Sequence, residues 1–242
     1  MKASEYIPNP LYNKTVVFDG DSICQGIPGM GIYPWADVIG KRNSMTYYNY
    51  AIGGGTIVDG LITNDGTPRH SVVKTIELIR SEHPTLDYLI LEGGTNDADL
   101  LTPHPELFGE LDPADYSGVY DEKTFTGALE SLFFKALNYF PKAKLGFIIA
   151  HKMGRPEEGY GPNYKRRRFF IRAIEVCKKW GVPYIDLWKC APLCSKLKCQ
   201  YDPELSKEEN EAAGKMYIDQ QHLASAGYAL VSDKIEAFMR ML

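Results

Sequence analysis

Short apolar runs rich in β-formers alternate along the chain with longer stretches of helical periodicity. The runs predict strands over Thr15–Phe18, Thr46–Ala51, Tyr88–Leu91, Leu145–Ala150 and Pro183–Asp186. Between them, His70–Arg80 places Val73, Ile76 and Ile79 on one helical face. Thr124–Phe140 and Tyr164–Trp180 show the same spacing, and a last helix is expected from about Ala224 to Met241 with Leu230, Ile235 and Phe238 turned inward. Strands joined by helical crossovers make a mostly parallel sheet, covered on both faces. The fold class expected is therefore α/β, a three-layer α/β/α sandwich. No repeat or low-complexity linker divides the chain, so residues 1–242 read as one domain with its core over about 15–240. The stretch 97–123 holds Pro103, Pro105 and Pro113 and little periodicity. It reads as a long loop insertion, either a cover over a site or a plain surface loop.

Composition narrows the class further. The chain has 242 residues, 44% of them hydrophobic, enough for a sizeable core. A net charge of −4 gives no general pull toward nucleic acid or anionic membranes, and neither is expected as a partner. The basic run Lys165-Arg166-Arg167-Arg168 opens a helical pattern and reads as a solvated helix face rather than a phosphate site. The start, MKASEYIPNPLYNK, lacks the apolar stretch of a secretory signal, and no run reaches the length of a membrane span. A cytoplasmic protein with reduced thiols is the expectation. The cysteines Cys24, Cys177, Cys190, Cys194 and Cys199 are odd in number. The stretch CAPLCSKLKC has no histidine nearby, so no metal site is expected there.

In open parallel sheets, ligands bind beyond the C-terminal ends of the strands, where the strand order reverses. Asp21-Ser22 follows the first strand, Ile52-Gly53-Gly54-Gly55-Thr56 the second, and Glu92-Gly93-Gly94-Thr95-Asn96-Asp97 the third. Asp219-Gln220-Gln221-His222 comes well after the fifth. With strand order 2-1-3-4-5, Ser22 and Asn96 face each other across the crevice. A serine hydroxyl needs a base to become a nucleophile. His222 can take its proton, and Asp219 can fix the imidazole tautomer. The backbone N–H groups of Ser22 and Gly54 and the side-chain amide of Asn96 can receive the charge that develops on a carbonyl oxygen.

These blocks, Gly20-Asp21-Ser22, NYAIGGGT, GTND and DQQH, resemble those of the SGNH (GDSL-like) hydrolase family, in the same order. The resemblance runs from about residue 15 to 230 and implies a flavodoxin-like five-stranded sheet. It implies Ser22 as nucleophile, His222 as base, Asp219 as its orienting acid, and Ser22, Gly54 and Asn96 as the oxyanion hole. It also implies hydrolysis of esters or thioesters with no metal or organic cofactor. Ile23 stands where the family pattern has leucine, and three consecutive glycines leave Gly53 and Gly55 as alternatives to Gly54. His151, after the fourth strand, either lines the pocket or satisfies a strand-end backbone group. His70, His83 and His104 read as structural, Asp21 as a turn former, and Asp97 as a turn or cap residue. The G-x-S-x-G elbow and the G-x-G-x-x-G fingerprint are absent around these blocks. The Tyr-rich stretches DPADYSGVYDE and GRPEEGYGPNY point to short-acyl esters of a polar alcohol such as a sugar. Two other functions fit the same blocks: a ligand- or glycan-binding module without catalysis, and an acyltransferase using the same residues.

Overall fold

The computed structural model describes residues 9–63, 65–154 and 164–242. Its centre is a parallel sheet of β1 (Thr15–Asp19), β2 (Thr46–Asn49), β3 (Tyr88–Glu92), β4 (Lys144–Ile149) and β5 (Tyr184–Asp186), in the order β2-β1-β3-β4-β5. Registers such as Val17↔Leu89 and Leu91↔Phe147 put the reversal between β1 and β3, as the sequence predicts. Alternate residues of each strand feed opposite layers. Val17, Leu89, Leu91, Phe147 and Ile149 pack against α3 (Val72–Glu82), α5 (Phe125–Tyr139) and α6 (Lys165–Trp180). Val16, Phe18, Tyr88, Ile90 and Ile148 pack against α2 (Trp35–Arg42) and α9 (Ser225–Met241). Both faces are buried, which is why the central strands read as unbroken apolar runs.

Strand ends differ from the expected ones for local reasons. β2 stops at Asn49 rather than Ala51, because the Asn49 side chain accepts from the Ala51 N–H and donates to the Cys24 carbonyl. β1 and β3 each run one residue further, into the acids Asp19 and Glu92, both fully buried. Short helices escaped the periodicity reading: α1 (Ser22–Gln25), α2, α4 (Thr95–Leu101), α7 (Leu187–Cys190) and α8 (Lys207–Ala212). None is long enough to show three turns of pattern. Among them, α8 does carry a capping box, Ser206 with Glu209.

The 97–123 stretch is ordered along the molecule. It begins inside α4, and Phe108 is buried against Phe125 and Phe169. Tyr116 and Tyr120 then pack on Trp180, the last residue of α6. A sixteen-residue helix is about 24 Å long, and its other end reaches Gln221 through Arg166. The tyrosines of DPADYSGVYDE therefore sit at the far end of α6 from the Ser22 loop. Most of the second Tyr-rich stretch, residues 155–163, lies outside the described residues.

The basic run is not a solvated helix face throughout. Arg166 and Arg167 are buried, while Arg168 is exposed and lies over the Phe108 ring. Arg166 pairs with Asp99 of α4 at 2.6 Å, and Arg167 pairs with Asp186 of β5 at 3.0 Å. The spacing of a charged run does not reveal carboxylates brought in by other elements. Among the described residues, no helix is long and apolar enough to cross a membrane. His151 follows β4, is fully buried, and donates from Nε2 to the Gln221 carbonyl at 3.0 Å. It satisfies a backbone group of another loop.

Two outcomes follow for stability. Arg167→Met strands Asp186, whose side chain is 10% exposed, and is expected to cost roughly 3–5 kcal/mol in urea unfolding. Adding Asp186→Leu is expected to recover most of that loss. Burial lowers His151 from its ordinary 6.5 to about 4, so the folded chain keeps it neutral where the unfolded chain takes up a proton. Its stabilisation is full above pH 6.5 and is lost as pH falls toward 4, by up to ~1.4 kcal/mol per pH unit. Burial pushes Asp97 up to about 7, with the opposite sign, so only a difference isolates the histidine. The unfolding free energy of His151→Asn is expected to fall less steeply than wild type between pH 6.5 and 4. Parallel curves would remove the buried neutral imidazole from the account.

Candidate active site

β1 ends in a turn that presents Ser22. Gly20 passes so close to β3 that an added Cβ would stand 2.8 Å from the Glu92 carboxylate. Asp21 then caps α1, its Oδ1 accepting from the Ile23 N–H at 2.8 Å. This is the turn role expected of Asp21. Ser22 becomes the first helical residue, half-buried, and its own N–H donates to no acceptor among the described residues. Tyr228 of α9 donates its hydroxyl to the Ile23 carbonyl at 3.0 Å and holds the turn from below.

The glycine loop after β2 is pinned from two sides. Gly53 donates to Gln25 Oε1 and Gly55 to the Ile52 carbonyl, so both N–H groups are engaged. Gly54, at φ +78°, has no described acceptor for its N–H. Of the three glycines, it alone keeps that donor free. From β3, Asn96 Nδ2 donates to the Gly55 carbonyl at 2.8 Å, leaving its second amide proton uncommitted. Asp97 reaches under the same loop and accepts from the Ile57 and Val58 N–H groups at 3.0 and 3.1 Å. It is fully buried and ties two loops together, a larger part than a cap within its own segment.

The Asp219–His222 segment lies against the end of β4. Gly154 donates to the Gln220 carbonyl, His151 to the Gln221 carbonyl, Arg166 to the Gln221 side chain, and Tyr217 to the Lys152 carbonyl. Held in this way, His222 Nε2 stands 3.0 Å from Ser22 Oγ. Its Nδ1 faces Asp219 Oδ2 at 2.9 Å, and Asp219 Oδ1 also accepts from the Gln221 and His222 N–H groups. Lys207 of α8 pairs with Asp219 Oδ2 at 2.9 Å. Burial raises the Asp219 carboxyl, but His222 and Lys207 outweigh it and hold the group well below the usual carboxylate range. The arrangement can relay a proton from the serine hydroxyl to an imidazole whose other nitrogen faces a charged carboxylate.

The structure thus brings Ser22, Asp219 and His222 into one hydrogen-bonded line and sets Asn96 on the Gly53–Gly55 turn beside Ser22. His151 lies behind the histidine loop rather than in a lining position. Three participants escaped sequence reading. Lys207 sits on a short helix, Gln25 ends the short helix that Ser22 begins, and Glu92 looked like a loop acid. Burial, then the neighbouring Asp21 charge, pushes Glu92 well above its ordinary range, and burial raises Asp21 as well. Asp19 is likewise raised by burial, and accepts from the Gly20 N–H and His70 Nε2, each at 2.8 Å. The capping box before Lys207 was the one readable signal among these. Among the described residues no His, Cys, Asp and Glu cluster has the makings of a metal site.

The GDSL-like Lipase/Acylhydrolase family matches residues 18–230. No curated protein matches the chain by sequence. Solved structures share its fold. A protein from Lactobacillus plantarum is 20% identical, with 95% of this chain and 98% of that one covered and a TM-score of 0.68. The aryl esterase of M. smegmatis is 13% identical, with 95% and 99% covered and a TM-score of 0.60. The lipase/acylhydrolase of Enterococcus faecalis is 19% identical, with 94% and 96% covered and a TM-score of 0.55. The family match takes in the end of β1, the Ser22 turn, both central loops and the Asp219–His222 segment, and the chain belongs to the GDSL-like lipase/acylhydrolase family of ester-cleaving enzymes.

Proposed function

We propose that this chain, acting as one domain, hydrolyses small esters through Ser22, His222 and Asp219. One observation carries the reading: Ser22 Oγ and His222 Nε2, 200 residues apart in sequence, lie 3.0 Å apart, with Asp219 on the far imidazole nitrogen. His222 takes the proton as Ser22 Oγ attacks the ester carbonyl. The carbonyl oxygen becomes an oxyanion in reach of the Ser22 N–H, the Gly54 N–H and the free Asn96 amide proton. Collapse expels the alcohol, which leaves with the proton from His222. Water then repeats the sequence on the acyl-enzyme and releases the acid. Asp219 stays ionised throughout and stabilises the imidazolium. His222 carries each proton in turn, from Ser22 to the departing alcohol and then from water back to Ser22, so the scheme calls for no cofactor.

The substrate class we propose is a short-acyl ester of a polar alcohol, of the carbohydrate kind. Its support is the open hollow of about 460 Å³ next to Gly54, lined by Thr63, Asp65, Thr67 and Arg69. Such a wall, with Thr63, Asp65, Thr67 and Arg69 side by side, offers hydrogen bonds to hydroxyls.

Ser22→Ala is expected to lower kcat on p-nitrophenyl acetate by at least ~1000-fold, and Asp219→Asn by roughly 100- to 10,000-fold. Lys207→Met, which removes a half-exposed ion pair, is expected to stay within about fivefold of wild type. Equal rates for wild type and Ser22→Ala would remove Ser22 from the mechanism. Across p-nitrophenyl esters from acetate to decanoate, kcat/KM is expected to peak at two to four carbons. A maximum at long chains would overturn the substrate class.

A further inference from the structure

Beside the Gly53–Gly55 turn lies a positive charge that nothing in the described structure balances. Arg69 is half-buried, and its Nη1 donates to the Gly54 carbonyl at 2.9 Å. Its Nε is buried with no hydrogen-bond partner. Arg42, Arg166, Arg167, Arg172 and Arg240 each pair with a carboxylate. Arg80 and Arg168 lie over aromatic rings. Among the described residues, Arg69 has neither kind of partner. Asp65 shares the hollow but is exposed and engaged by its own turn, through the Thr63 hydroxyl and the Thr67 N–H. Its charge faces water and is screened there.

A guanidinium kept partly out of water without a counter-charge is costly to the fold. The cost is recovered when an anion arrives. With Nε buried and one Nη1 proton on the Gly54 carbonyl, the Nη end of the guanidinium is what a carboxylate or a phosphate can accept from. The position is specific as well. Arg69 holds the carbonyl of the residue whose N–H faces the proposed oxyanion. An acidic group a few bonds from a scissile ester carbonyl there would lie on the side of the loop that Arg69 occupies. Gly54 leaves room for this, since a Cβ at that position would stand 3.0 Å from Arg69 Nη1.

We propose that Arg69 selects esters that carry an anionic oxyacid group, a carboxylate or a phosphate. This rests on the esterase reading above and narrows the polar esters proposed for the same site to those that also bear a negative charge. The test compares kcat/KM for matched charged and neutral esters in wild type, Arg69→Gln and Arg69→Lys. One arm carries the acid on the alcohol side, with 4-acetoxybenzoate or 4-acetoxyphenyl phosphate against methyl 4-acetoxybenzoate. Another carries it on the acyl side, with p-nitrophenyl hemisuccinate against p-nitrophenyl butyrate. Because Arg69 also steadies Gly54, both members of a pair lose rate in the variants, and the charged-to-neutral ratio is the readout. That ratio is expected to fall about 10- to 100-fold in Arg69→Gln in at least one arm, with partial retention in Arg69→Lys. Added salt is expected to erode the wild-type preference. Turnover of the neutral esters with unchanged ratios in every arm overturns this inference and leaves the esterase reading standing. No turnover of any ester overturns both.

Discussion

Everything at the C-terminal edge of this sheet depends on carboxylates, most of them buried, that hold loop backbones in place. Strands end there in a row, and the loops that leave them carry N–H groups that no ladder satisfies. Asp19 takes Gly20, Asp21 takes Ile23, Asp97 takes Ile57 and Val58, and Asp219 takes Gln221 and His222. Each bond fixes a loop that presents one of the proposed reacting groups. Desolvation is the cost, visible in the raised values of Asp19, Asp21, Glu92 and Asp97. Asp219 alone runs the other way, because His222 and Lys207 supply positive charge beside it.

The second constraint is that the imidazole loop comes from the other end of the chain. It does not depend on Ser22 for its position. Backbone and side-chain bonds dock it on the residues after β4, and Arg166 ties Gln221 to Asp99 on the helix that also bears Asn96. The proposed base and the proposed oxyanion donor are thus parts of one braced unit. Such preorganisation is what lets a hydroxyl and an imidazole meet at bonding distance before any substrate arrives.

Much of this was legible in the sequence. The parallel sheet follows from apolar runs joined by helical crossovers, and its strand order from the family resemblance. The four blocks mark Ser22, the glycine turn, Asn96 and the Asp219–His222 pair, because reacting groups must follow the strands that aim them. What stayed hidden depends on contacts between distant segments. Nothing local marks Arg166 and Arg167 as buried, since their partners Asp99 and Asp186 arrive from other elements. Asp97 reads as a turn former until the loop it supports lies beside it. Which of the three glycine N–H groups is already engaged depends on Gln25 and Ile52 being in place. The tyrosines at 116 and 120 misled by their chemistry, since their packing on Trp180 depends on the length of a helix they do not belong to.

The central claim is that one serine, activated by an imidazole from the far end of the chain, is the nucleophile. The most direct measurement is labelling with a fluorophosphonate followed by peptide mapping. A single adduct on the peptide containing Ser22, abolished when His222 is replaced by alanine, is the result this account predicts. An adduct on another residue, or an unreactive Ser22 in the folded wild-type protein, would contradict it.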